Sequence, residues 1–265
     1  SAGRIQSRGR EFDVLMSEEV RPARYLRLSF SGASSPEGFA VAGLTLRGAE
    51  GAARPWARMA LAAAQAPEGL YPDMFRQRQT YWAVAGGRKG TGAQSLLDEW
   101  GTFAPRIRGP ALMPLIAAGG ETWTARQAAE LEHRLGGDGA PMPETTWRLP
   151  SGLALRIRAL ARSDATPATS WVRYELANDS IMTQTGRLAW VLRPVQVPPP
   201  WAGGGLAPLY RIHLADASDG WQEIRVDGEP LFAAPAGGLS FGTAAFAEGD
   251  VAEFFRRGET PPLAR

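Results

Sequence analysis

Alternation of apolar and polar residues dominates the chain from residue 78 onward. "LALRIRALA" (153–161) sets Leu155, Ile157 and Ala159 against Arg156, Arg158 and Leu160. "SWVRYELAN" (170–178) sets Val172, Tyr174 and Leu176 against Arg173 and Glu175. A period of two places alternate side chains on opposite faces of a strand, one oily and one wet. The segments 78–87, 145–149, 187–197, 207–215, 221–228 and 230–234 read as further strands, with short turns such as Pro-Ser-Gly at 150–152 between them. Repeated strands with short connections predict a mainly β fold of antiparallel layers and argue against a parallel α/β sheet. On its wet face, arginine is expected to be solvated sheet surface rather than an anion site.

The first 48 residues also alternate. "ARYLRLSF" (23–30) and "FAVAGLTLRG" (39–48) flank the turn-rich "SGASSPEG". They read as two or three strands, too few for an isolated domain. At 55–65 the character changes. Pro55 suits a first helical position, the body is alanine-rich, and Pro67 stops it, so a short helix is predicted. Two later segments compete with the β pattern. "TARQAAELEHRLGG" (124–137) has helical propensity with ragged apolar spacing, and Gly136 would cap it, leaving helix and strand both open. "EGDVAEFFRRGETPP" (248–262) is a clearer helix: Asp250 and Glu253 form a D-x-x-E start, Arg256 and Arg257 favour its C-terminal end, and Gly258 stops it.

The chain has 265 residues, enough for a substantial core in one large or two smaller domains. Its 29 basic and 27 acidic residues nearly cancel, which leaves no nucleic-acid footprint. Only Lys89 among the basic residues is a lysine. No apolar run approaches the ~20 residues of a membrane helix. With no cysteine, disulfides, thiolate nucleophiles and cysteine metal sites are excluded. No cofactor, metal, nucleic acid or membrane is expected, and the compartment stays open between cytoplasm and periplasm.

Catalytic motifs are absent. The sequence holds no H-E-x-x-H, G-x-S-x-G or phosphate-loop pattern, and "GGRKGTG" (86–92) reads as a turn between strands. The only histidines are His133 and His213. His213 is a candidate sugar-facing acid or base, weighed against a polar place on a sheet. Asp98, Glu99, Glu121, Glu144 and Glu175 are possible members of a carboxylate pair, with structural or surface roles the better expectation for each. Nine tryptophans are the unusual component. Trp82, Trp147, Trp171 and Trp190 fall in predicted strands, where core is the default. Trp201 follows "PPP" and precedes "AGGG", on a loop where an aromatic ring is exposed and can stack on sugar.

The segments "YWAVAGGRKGTGAQSLLDEWGTF" (81–103), "APMPETTWRLPSGLALRIRALA" (140–161), "VRYELANDS" (172–180), "LAWVLRPVQVPPPW" (188–201) and "FGTAAFAEGDVAEFFRRGETPP" (241–262) resemble a bacterial family of large proteins. These carry a factor 5/8 type C (discoidin-like) region, a glycosidase-like β-supersandwich and an (α/α)6 six-hairpin barrel. The resemblance covers about 78–262, and "RP-x-Q-V-x-PP-W" is its most specific part. It implies three segments: 1–48, closing strands of a discoidin-like sandwich; 49–77, a helical linker; and 78–265, a β-supersandwich of the galactose-mutarotase-like class. It further implies a non-catalytic, carbohydrate-associated domain, with the catalytic carboxylates in an (α/α)6 domain beyond Arg265. The expected partners are an oligo- or polysaccharide and that barrel, with Arg193, Gln196, Trp201 and His213 as substrate-binding residues and none catalytic. The alternatives are a mutarotase-like sugar epimerase and a glycan- or protein-binding module.

Overall fold

The computed structural model describes residues 55–86, 94–136, 141–162, 169–207, 209–216, 220–244 and 250–261. The strands expected at 23–30 and 39–48, and with them the expected discoidin-like segment, lie outside these residues. The chain divides into two compact units between Arg76 and Gln77.

In the first unit, helix α1 (Pro55–Gln65) forms where the proline start and alanine body place it. It buries Ala57, Met59, Ala60 and Ala63. The end of α1 leaves carbonyls without intrahelical donors. Arg76 supplies them, donating from Nη2 to the Ala63 and Ala66 carbonyls at 2.7 Å each. Trp56 and Phe75 close the same turn, with ring centroids 4.6 Å apart.

The second unit is antiparallel throughout its described strands. One sheet comprises β1 (Trp82–Gly86), β2 (Gln94–Asp98), β3 (Phe103–Ala104), β4 (Ala111–Ala118) and β5 (Glu121–Trp123), with a later strand, β10 (Gly186–Arg193), along β4. A second sheet is the meander β6 (Glu130–Gly136), β7 (Met142–Arg148), β8 (Leu153–Arg162) and β9 (Thr169–Asn178). A third joins β11 (Ile212–Asp216), β12 (Trp221–Val226) and β13 (Glu229–Pro235). Helix α2 (Val251–Arg256) follows, with Asp250 as its N-cap accepting the Ala252 N–H at 2.8 Å. The mainly β antiparallel class read from the alternation is the class observed.

The core lies between the first two sheets. Leu97, Phe103 and Ile116 from one side meet Trp147, Leu153, Leu155 and Ile157 from the other. The inward residues of β8 are those the period of two selects. Three such side chains, Leu153, Leu155 and Ile157, each worth ~2 kcal/mol, outweigh the weak local preferences of the chain. At the Asp227-Gly228 turn both residues have positive φ, 54° and 89°, and join β12 to β13 as Asp-Gly pairs characteristically do.

Two departures from the sequence reading are informative. Over 124–137 the helical signal is real but spans one turn. Thr124 caps a 3-10 turn at Ala125–Gln127, with the Gln127 side chain reaching back to the Thr124 N–H. The chain then extends as β6, because Leu131 and His133 lie opposite Trp147 and Thr145 of β7 and point inward. Cross-strand packing overrides propensity there. β4, "ALMPLIAA", has no alternation to read because it is buried along nearly its whole length. Its Pro114 is tolerated because that edge of β4 is paired only at Leu112, by β3, and from Ile116, by β5.

Candidate functional site

"VQVPPPWAGGGLA" (195–207) leaves β10 and folds back on itself. Val195 bridges Leu206, Gln196 N–H donates to the Gly205 carbonyl, and Gly205 N–H donates to the Pro198 carbonyl. The prolines start a 3-10 turn, Pro200–Ala202, and Gly203 ends it at φ 80°. Gly204 has no freedom to carry a side chain, since a Cβ there would overlap the Pro198 carbonyl. The loop is thus held by its own backbone. At its tip the Trp201 ring is 53% exposed, and its Nε1–H donates to Gln79 Oε1 at 2.8 Å. Tyr81, two residues beyond Gln79, is also exposed.

The four residues expected to bind substrate are not brought together. Arg193 is 3% exposed, not at a rim. It donates Nε and Nη2 to the two Asp250 oxygens at 3.1 and 2.7 Å, and Nη1 to Met113 Sδ at 3.8 Å. It therefore ties α2 to β10. Six residues earlier on the same strand, Arg187 holds the other end of the helix through the Gly258 carbonyl and the Phe255 ring. Gln196 spends its amide on the Arg108 and Leu206 carbonyls at 3.3 and 3.2 Å. His213 is exposed on β11 opposite Arg225, whose guanidinium is bonded to Glu223. Of the four, Trp201 and His213 are exposed, and they lie apart, on the loop after β10 and on β11.

The buried polar groups centre on the turn after β2. Asp98 Oδ1 accepts the N–H groups of Trp100 and Thr102 at 3.0 and 2.6 Å. Burial pushes the Asp98 carboxyl up to about 7, and Glu99 adds to the rise, while the bonds from Thr102 and Trp100 pull the other way. Burial, with Asp98 nearby, also raises the Tyr174 phenol. The Tyr174 hydroxyl, Trp100 Nε1 and Ser95 Oγ are buried with no hydrogen-bond partner. The turn stitches the two sheets together. Thr145 Oγ1 donates to the Asp98 carbonyl at 3.0 Å, and Trp147 Nε1 to the Trp100 carbonyl at 3.1 Å. Because a carbonyl only accepts, the Thr145 proton is committed, so His133 Nδ1, 2.8 Å from Thr145 Oγ1, is the donor. Burial lowers the His133 pKa. Asp98 thus acts as a turn cap.

Two of the remaining carboxylates, Glu144 and Glu175, work on the outer face of the second sheet. Glu144 is buried beneath arginines: Arg134 donates Nε and Nη2 to its Oε1 at 3.1 and 2.6 Å, and Arg158 Nε bonds its Oε2. Burial raises the Glu144 pKa, but hydrogen bonds and charge from Arg158 and Arg134 prevail and hold it below the ordinary range. Glu175 lies 3.1 Å from Arg173 and 3.6 Å from Arg156. Glu99 accepts the Tyr81 N–H at 3.2 Å, and Glu121 is exposed on β5. Trp147 is core as expected, whereas Trp171 and Trp190, also expected inside, are 46% and 37% exposed. Both are at sheet margins: among the described residues, β9 and β10 have a partner strand on one side only. Among the described residues no cluster of His, Asp and Glu is arranged to hold a metal ion, and no helix is long and apolar enough to cross a membrane.

Comparison with known protein families, curated proteins and solved structures finds no match to this chain.

Proposed function

We propose that the chain is a non-catalytic carbohydrate-binding β-sandwich of a larger glycosidase-like protein. The supersandwich type, the preceding discoidin-like region and a following (α/α)6 catalytic domain belong to the same proposal. One observation carries it: an indole held by Gln79, on a loop locked by its own backbone, with half its surface open. An aromatic face fixed before binding loses little conformational freedom when a sugar ring stacks on it. Support for a bond-breaking role is lacking, since His213 and the carboxylates are dispersed.

The experiment is calorimetric titration of neutral oligosaccharides into the 265-residue chain and its Trp201→Ala variant. Stacking predicts binding in the first and at least a tenfold loss in the second, with no change in melting temperature beyond a few degrees. Equal affinity in the variant, absence of any saccharide binding, or glycoside turnover by the chain alone would each overturn the proposal.

A further inference from the structure

The outer face of the second sheet has a side-chain order that the ion pairs alone do not explain. Cross-strand register places Arg134, Glu144, Arg158 and Arg173 in one row over four strands. Glu144 takes Nε and Nη2 of Arg134 but only Nε of Arg158. Arg158 and Arg173 stand directly opposite each other, a like-charge pairing that ordinarily destabilises a sheet. Two residues further along each strand is a second row, Gly136 beside Met142 and Leu160 beside Trp171. The two rows line a groove of about 650 Å³, inside the ~300–1,000 Å³ range of small-ligand sites.

The face is short of acceptors. Arg158 gives Nε to Glu144, and its terminal nitrogens have no partner among the described residues. Arg173, 72% exposed, shares Glu175 with Arg156. Arg156 Nε makes no hydrogen bond and reaches Glu144 Oε1 only as an ion pair at 3.8 Å. The shelf beside them is braced on one side: Trp171 is set edge-on to Trp221, with centroids 6.1 Å apart. Two under-supplied guanidinium groups next to a braced, half-open indole fit one kind of occupant. It has a flat apolar ring face and a carboxylate at the ring's edge. Guanidinium forks match a carboxylate's two oxygens, and the indole matches the ring.

We propose that this groove binds the uronate residue of an acidic oligosaccharide, the carboxylate between Arg158 and Arg173 and the sugar ring against Trp171. The inference rests on the carbohydrate reading above, at a second site on a different sheet. It also departs from the sequence expectation that these arginines are merely solvated. What sets them apart is register, which brings two cations face to face beside an aromatic ring.

The test is calorimetric titration of the full chain with a galacturonate tetramer, its fully methyl-esterified form, and polyglutamate. The groove predicts that the acid form binds at least tenfold more tightly than the ester and weakens as salt is raised. Arg173→Gln, on an exposed edge-strand position, loses at least tenfold toward the acid form with its melting temperature unchanged. Trp171→Ala loses similarly toward the same tetramer, while Trp201→Ala does not. Equal binding of acid and ester, an Arg173→Gln variant that binds like the parent, or polyglutamate binding as tightly would overturn the uronate site. Neutral oligosaccharide binding lost in Trp201→Ala, with the galacturonate arm failing, would leave the carbohydrate reading standing and remove this one alone.

Discussion

Replacing Arg193 by methionine separates a clamp from a ligand contact. The two Arg193 bonds to Asp250 are made where the side chains are only 4% and 11% exposed. Methionine would take the guanidinium away from an Asp250 side chain that is only 11% exposed. Breaking a buried pair in this way costs ~3–5 kcal/mol, a large share of the ~5–15 kcal/mol that holds a domain together. Asp250 also caps α2, so Asp250→Ala adds the loss of a cap, about 1 kcal/mol. Asp250→Ser keeps the cap and removes the charge. The double variant Arg193→Met, Asp250→Ser should therefore recover much of what Arg193→Met loses, with a coupling energy of ~2–3 kcal/mol. Urea denaturation of the parent, both single variants and the double variant measures this. With a slope of about 2 kcal/mol/M, the Arg193→Met midpoint should fall by roughly 2 M. A fall of less than ~0.5 M, combined with lost oligosaccharide binding, would show that Arg193 serves a ligand and that the clamp argument is mistaken.

Asp98 makes stability depend on pH in a defined direction. Its carboxyl titrates near 7 in the folded chain against 3.8 ordinarily. Between those values the unfolded chain releases a proton that the folded chain retains, so stability falls as pH rises, by roughly 4 kcal/mol in all. Asp98→Asn keeps an oxygen for the Trp100 and Thr102 N–H groups and should gain on the parent steadily from pH 4 to 8 in denaturation curves. His133, lowered by burial, acts oppositely and costs stability as pH falls below its ordinary 6.5, but its effect cancels in the comparison. Parallel pH profiles for the two proteins would refute the assignment. Gly204→Ala sets a methyl against the Pro198 carbonyl and should cost ~1–3 kcal/mol, read as a lower midpoint accompanied by weaker binding at Trp201. An unchanged midpoint would mean the loop is not locked as described.

The parts legible in the sequence were those governed by local chemistry. Leu155, Ile157 and Ala159 announced a half-buried strand, Pro55 and Pro67 bounded a helix, and Asp250 and Gly258 marked the ends of another. β4 was not legible, because a strand buried on both faces has no polar beat to detect. Nor was β6, where one capping box imitated the start of a longer helix. Of the candidate ligand contacts, the exposed loop position of Trp201 could be read because prolines and glycines surround it. Arg193 was misjudged for a general reason. A buried cation depends on a counter-ion distant in sequence, and nothing near residue 193 signals Asp250. The outer-face row was invisible for the same reason: which arginines stand opposite each other is decided by strand register.

The placement of β10 has a consequence for how the molecule comes into being. β6 to β9 are successive neighbours and pair in the order of synthesis. β4 pairs with β10 from Ala111–Arg193 to Ala118–Gly186, across the whole of the intervening meander. As the polypeptide leaves the ribosome, the second sheet can assemble while the first still lacks its border. Closure of that long loop is the step expected to limit the folding rate.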